Sequence, residues 1–153
     1  MMPRASKHSV VAMHAGGEAF DVDVRGHTVR TDQPVASGGA DAGPTPLELI
    51  SAGLASCVAL YVHRACVRKG LDAEGLAVEV NPLWKPATAS IGRFDVVLHL
   101  PGSVPEDAYP ALEEAASSCP VDRTLVSGPE IVVSTVSRPT QLARLEAAVP
   151  MAG

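Results

Sequence analysis

Gly43-Pro-Thr-Pro-Leu-Glu-Leu-Ile-Ser-Ala-Gly-Leu-Ala-Ser-Cys57 holds a loop, a complete helix start and a thiol about three turns into an almost uncharged helix. Thr45 is an N-cap type. Pro46 suits the first helical position, where a missing N–H costs nothing, and Glu48 falls three residues after the cap, completing a capping box. The pattern predicts a helix from Pro46 to about Lys69, with Arg68 and Lys69 in its last turn and Gly70 closing it. Its apolar residues Leu49, Ile50, Leu54, Val58, Leu60 and Val62 lie nearly all round, so it should be buried on most sides. Such a helix is about 36 Å long at 1.5 Å per residue. That is more than a small domain buries by itself, and it calls for a partner subunit.

Outward from this helix the chain reads as one α+β domain. Val10–Met13, Ala19–Val24 and His27–Thr31 are short strand-like runs, with Arg25-Gly26 as the tight turn between the last two. Residues 33–44, with Gly38-Gly39 among them, form a loop. Leu76–Val80 and Phe94–Leu100 read as strands, the latter with Phe94, Val96, Leu98 and Leu100 on one face. Pro105–Ser118 reads as an amphipathic helix ending at Cys119-Pro120, Ile131–Val136 as a closing strand, and Thr140–Val149 as a short helix. Residues 1–8 and 137–153 are expected to be peripheral to a single domain spanning 1–153.

Composition narrows the function. With 153 residues, 46% hydrophobic and 19% charged, the chain fits a soluble globular domain with a real core and not a disordered segment. A net charge of −5, with no cluster of Lys and Arg, argues against nucleic acid as a partner. Met1–Ala12 lacks the apolar run of a signal peptide. The longest uncharged apolar stretch, Leu49–Val62, is 14 residues and short for a bilayer. No membrane partner and a cytoplasmic location are the expectations.

Three cysteines are too few for a disulfide framework in a chain of this length. Cys57 and Cys66 lie nine positions apart on one helix, which puts them on opposite faces and about 13.5 Å apart along the axis. That is too far for a bond, so Cys119 is the one candidate partner for either. Gly53 sits one turn before Cys57, and its missing side chain opens space beside the sulfur. Desolvation disfavours a thiolate among apolar side chains, although the thiolate is the reactive form. A reactive Cys57 therefore calls for a cation, from Arg25, Arg30 or Arg123. Cys119, read as lying at a helix C-terminus where the dipole disfavours an anion, ranks as the resolving thiol and Cys57 as the attacking one.

Gly43-Pro-Thr-Pro-Leu-Glu-Leu with Ala52-Gly-Leu-Ala-Ser-Cys57, followed by Cys119-Pro-Val-Asp-Arg-Thr-Leu125, resembles the OsmC-like family, which includes osmotically inducible and organic hydroperoxide resistance proteins. The resemblance runs from about Asp32 to Val136. It implies antiparallel sheets with a long buried central helix in an intertwined homodimer. It also implies a peroxidase in which an organic hydroperoxide oxidises Cys57 to a sulfenic acid, Cys119 condenses with it, and an external dithiol such as a lipoylated protein reduces the disulfide. No metal, flavin or haem enters that chemistry. Arg30 is the arginine assigned to the thiol. The family's peroxidases carry a glutamate directly after the helix-start proline to orient that arginine, and here the position is Leu47. That departure keeps open a second reading, a non-catalytic protein holding a small hydrophobic ligand in a cleft near Cys57. His63 and Cys66, at i and i+3, are too few ligands for a zinc site.

Overall fold

The computed structural model describes residues 9–135. Their contacts fall into two compact units, residues 9–44 with 130–135, and residues 45–129.

The first unit is a three-stranded antiparallel sheet of β1 (Val10–Gly16), β2 (Ala19–Val24) and β3 (His27–Thr31), with β2 in the middle. Arg25 and Gly26 both take left-handed φ angles, as a two-residue hairpin turn requires. The Asp23 carboxylate accepts the Gly26 N–H at 3.1 Å and closes that turn. After β3 the chain wraps around one buried side chain. Asp32 is 2% exposed, and its carboxylate accepts the backbone N–H groups of Gln33 (2.8 Å), Ala40 (3.0 Å) and Ala42 (3.1 Å). These bonds, led by the Ala42 amide, hold its carboxyl below the usual carboxylate range. Gly39 is needed for that clamp, since a Cβ there would overlap the Gln33 carbonyl and come within 2.7 Å of Asp32 Oδ1. Gly43 is needed for a second close approach, because a Cβ would strike the Arg30 carbonyl oxygen. The 33–44 loop is thus irregular in hydrogen bonding yet pinned to the end of β3.

The second unit is built on α1 (Pro46–Lys69). The Thr45 Oγ1 accepts the Glu48 N–H at 3.2 Å, and the Glu48 carboxylate accepts the Thr45 N–H at 2.7 Å, so Glu48 is part of the cap. Gly70 closes the helix in a left-handed conformation, donating to the Cys66 and Val67 carbonyls. The antiparallel hairpin β4 (Ala77–Lys85) and β5 (Ser90–His99) packs against α1, as do α2 (Tyr109–Ser117) and α3 (Pro120–Ser127). The core is a cluster of Leu54, Val58, Val62, Ala65, Cys66, Val104, Leu112 and Cys119, flanked by Val78, Val80, Phe94 and Leu98 of the hairpin.

The structure departs from the sequence expectations in four places. The α1 helix buries one stripe (Leu54, Val58, Val62, Ala65 and Cys66) instead of most of its circumference. Leu47, Ile50, Leu60 and Val67 remain exposed. By length and composition alone α1 would also cross a bilayer, but its buried stripe is that of a core helix. The hairpin is longer than expected, because β4 runs through Pro82 to a bulge at Leu83 and Trp84; a two-stranded sheet leaves proline's missing donor on an open edge. The helix α3, unforeseen, follows α2 after a break at Ser118 and Cys119. The closing strand expected at Ile131–Val136 is not a strand through residue 135. Among the described residues Ile131, Val132 and Val133 pair with no strand and stand exposed, and β propensity without a partner does not make a strand. Val136, the expected Thr140–Val149 helix and residues 1–8 lie outside the described residues.

Candidate functional site

Cys57 sits on α1 three residues beyond Leu54, at the margin of the buried stripe, and is half-buried. Across the core lies Cys119, with no exposed surface. The break between α2 and α3 places it there. Cys119 has extended backbone angles and is the N-cap of α3, with Pro120 at the first helical position and Asp122 at the third. Its Sγ accepts the Asp122 N–H at 3.3 Å. This corrects the expectation of a helix C-terminus. The Ser118 end of α2 precedes it by one residue, but the sulfur belongs to the start of the next helix, where the backbone dipole favours an anion. The signal was present in the sequence: Cys119-Pro-Val-Asp repeats the spacing of Thr45-Pro-Leu-Glu, a cap, a proline and an acid at the third helical position.

The two thiols are neighbours. Burial is the main influence that pushes the Cys119 thiol up from its ordinary range. The Asp122 amide pulls it back, and the Cys57 sulfur, by hydrogen bond and by charge, raises it further. Cys119 is thereby kept as an S–H beside Cys57. Its proton is retained most firmly when Cys57 carries the negative charge. Cys66, on the opposite face of α1, is also fully buried, and burial raises its thiol too. Nothing in its surroundings pairs it with another sulfur. All three cysteines are free.

Other candidate residues have side-chain partners of their own. Arg30 on β3 forms a two-pronged ion pair with Asp21 of β2, Nε to Oδ1 and Nη2 to Oδ2, both 2.9 Å. That bond is the chief reason the Asp21 carboxyl is lowered and the Arg30 guanidinium raised. Arg64 lies over the Tyr61 ring, 5.8 Å from its centroid. Arg93 pairs with Asp95 on β5. Among the described residues no three His, Cys, Asp or Glu side chains cluster as metal ligands would.

Two hollows in this unit are lined by α1 residues. One, of about 370 Å³, is lined by Leu54, Ile91, Phe94, Val96, Asp122 and Leu125 among others. It shares Leu54 with the helix turn before Cys57, and Asp122 with the cap on Cys119. Arg93 stands in its wall, a residue that sequence reasoning did not single out because no motif marks it. The other, smaller hollow, about 140 Å³, is lined by Leu47, Glu48, Ser51, Pro82, Trp84 and Ile91 and is almost wholly apolar. Beside Gly53 the expected space exists, since a Cβ built there meets nothing within 4 Å.

A half-buried helix thiol beside a buried, helix-capping thiol is a pair able to cycle between dithiol and disulfide. The model of the family described as OsmC-like protein matches residues 38–134, both cysteine motifs included. The chain belongs to the OsmC-like family. No curated protein sequence matches it significantly. Among solved structures it is similar to a candidate osmotic-stress-induced and detoxification-response protein from Psychrobacter arcticus, at 16% identity and a TM-score of 0.71, over 81% of this chain and 91% of that one. An OsmC-like protein from Mycoplasma pneumoniae gives 17% identity and a TM-score of 0.63, over 82% and 91%. An organic hydroperoxide resistance protein from Legionella pneumophila gives 20% and 0.55, over 78% and 90%. These likenesses establish the fold: α+β, with antiparallel sheets and a long helix.

Proposed function

We propose that this chain is a cysteine-based peroxidase that reduces organic hydroperoxides. The Cys57 thiolate attacks the terminal peroxide oxygen, the O–O bond breaks, and the alkoxide leaves as an alcohol on taking up a proton. Cys57 is left as a sulfenic acid. The Cys119 sulfur then attacks that sulfur, and the hydroxyl departs as water with the Cys119 proton, giving a Cys57–Cys119 disulfide. An external dithiol, for which a lipoylated protein is the natural class, restores both thiols. Sulfur alone carries the cycle. The observation that supports it most is the pairing of a half-buried Cys57 with a neighbouring Cys119 held protonated at the start of α3.

Two further residues and a partner belong to this reading. Arg30 is the guanidinium we assign to the thiolate, from the same chain or its twin, with Asp21 holding its fork in a fixed orientation. A homodimer would cover the exposed Ile50, Leu60 and Val67 of α1. The compartment we assign is the cytoplasm, where reduced thiols persist. Cys57→Ser should abolish hydroperoxide consumption with a dithiol present. Cys119→Ser should consume about one equivalent and then stop. Full turnover by Cys57→Ser would contradict the assignment.

One observation favours a second reading, a binding protein without turnover. Leu47 stands where the family's peroxidases carry glutamate, and it lines an apolar hollow with Trp84. Trp84 is the chain's single tryptophan, so an apolar ligand entering there would change its fluorescence. Saturable quenching with thiols unreactive to hydroperoxide would select this reading over the first.

A further inference from the structure

A Cys57–Cys119 disulfide has two routes to reduction, which differ in the sulfur that the incoming thiolate strikes. Exchange rates depend on which sulfur is reachable and on how well the other sulfur leaves. Reach separates the two thiols sharply. Cys119 is 0% exposed and enclosed in the cluster of Leu54, Val58 and Leu112. Cys57 is half-buried. One turn before it stands Gly53, with open space where a side chain would be. A small thiol can approach Cys57 along the helix surface, whereas Cys119 would have to leave the core to be struck.

The departing sulfur points the same way. When Cys57 is attacked, negative charge develops on Cys119, where the Asp122 N–H already donates to Sγ at 3.3 Å and the Val121 amide also faces it. These groups offset part of the cost of placing charge in an apolar setting. Cys57, inside an unbroken helix, receives no such backbone donor, since its neighbouring amides are committed to carbonyls one turn back.

Building on the peroxidase reading, we propose that the reductant enters at Cys57 and that Cys119 is the leaving thiol. One thiolate of a small dithiol bonds to Cys57 Sγ as the Cys57–Cys119 bond breaks. The electron pair passes to Cys119, which takes up a proton. The second thiol of the reductant, giving up its proton, then attacks its own sulfur in the mixed disulfide. The reductant closes to a cyclic disulfide and Cys57 departs as a thiolate. Two electrons move from dithiol to protein. Cys119 thus serves in both halves of the cycle, attacking Cys57 in one and leaving it in the other.

A monothiol that cannot complete the second step freezes the intermediate. The full-length protein is oxidised with diamide, treated briefly with 2-mercaptoethanol, quenched in acid, alkylated and digested with trypsin. Cleavage after Arg30, Arg64, Arg68, Arg93 and Arg123 puts the three cysteines in separate peptides, 31–64, 65–68 and 94–123. The expected result is a mercaptoethanol adduct on 31–64 with an alkylated, formerly free Cys119 on 94–123. An adduct on 94–123, equal adducts on both, or failure of diamide to join the two peptides overturns the proposal. Protein that forms the disulfide with diamide but not with an organic hydroperoxide fails the peroxidase reading instead, and the adduct's position still decides where a thiol enters.

Discussion

Asp32 and Cys119 are both buried groups whose state is set by backbone N–H donors, and they end in opposite conditions. Three amides surround the Asp32 carboxylate, so its charged form is favoured and its carboxyl lowered. At Cys119 burial outweighs the two amides, and the neutral thiol persists. The consequences differ with pH. A lowered carboxyl stabilises the fold fully above its unfolded value of about 3.9, and the contribution is lost as pH falls through the lower folded value. Acidification should therefore release the Gln33, Ala40 and Ala42 amides together, seen as faster hydrogen exchange below about pH 4 while α1 amides stay protected. Synchronous loss of both would contradict the local role. Gly39→Ala should cost roughly 1–3 kcal/mol, the range for forcing extra atoms into a filled site, read from the denaturant midpoint. Of these residues the sequence displayed the cysteines plainly, because their motifs are specific. It hid Asp32, since a lone aspartate before a loop carries no pattern until its amide partners, eight and ten residues on, are brought back to it.

At the scale of the element, α1 was readable from end to end because its boundaries are written in local chemistry: cap, proline, acid, then basic residues and glycine. The capping box makes a direct prediction. Thr45→Ala should lower stability by about 1 kcal/mol, while Thr45→Ser should be close to neutral, both measured by urea unfolding. Equal losses would mean that the threonine methyl, and not its oxygen, matters. The α3 helix was missed although it begins with the same signature, because eight residues with no buried side chain give no periodic apolar stripe to detect. The strand expected after Pro129 failed for the converse reason. Ile131, Val132 and Val133 have the right propensity, yet a strand is defined by an edge to pair with, which is tertiary information. Which sides of α1 are buried was likewise illegible, since a helix apolar all round does not say which stripe its own chain covers.

For the molecule as a whole, the exposed apolar residues of α1 bear on assembly. If a second copy covers Leu60 and Val67, 44% and 60% exposed in the single chain, sedimentation should give a mass near twice 15.8 kDa. Leu60→Lys should then shift the protein toward the monomer. A monomer at all concentrations would remove the homodimer from the account. On the proposed role of Arg30, Arg30→Ala should slow the first oxidation roughly a hundredfold, the scale of losing one preorganised donor. The central claim is that Cys57 and Cys119 form one redox couple from which Cys66 is excluded. It is tested most directly by titrating the reduced protein with an organic hydroperoxide and counting free thiols under denaturing conditions. One equivalent should take the count from three to one per chain, with Cys66 the survivor and two hydrogens lost in mass. Three thiols remaining after excess hydroperoxide would contradict it.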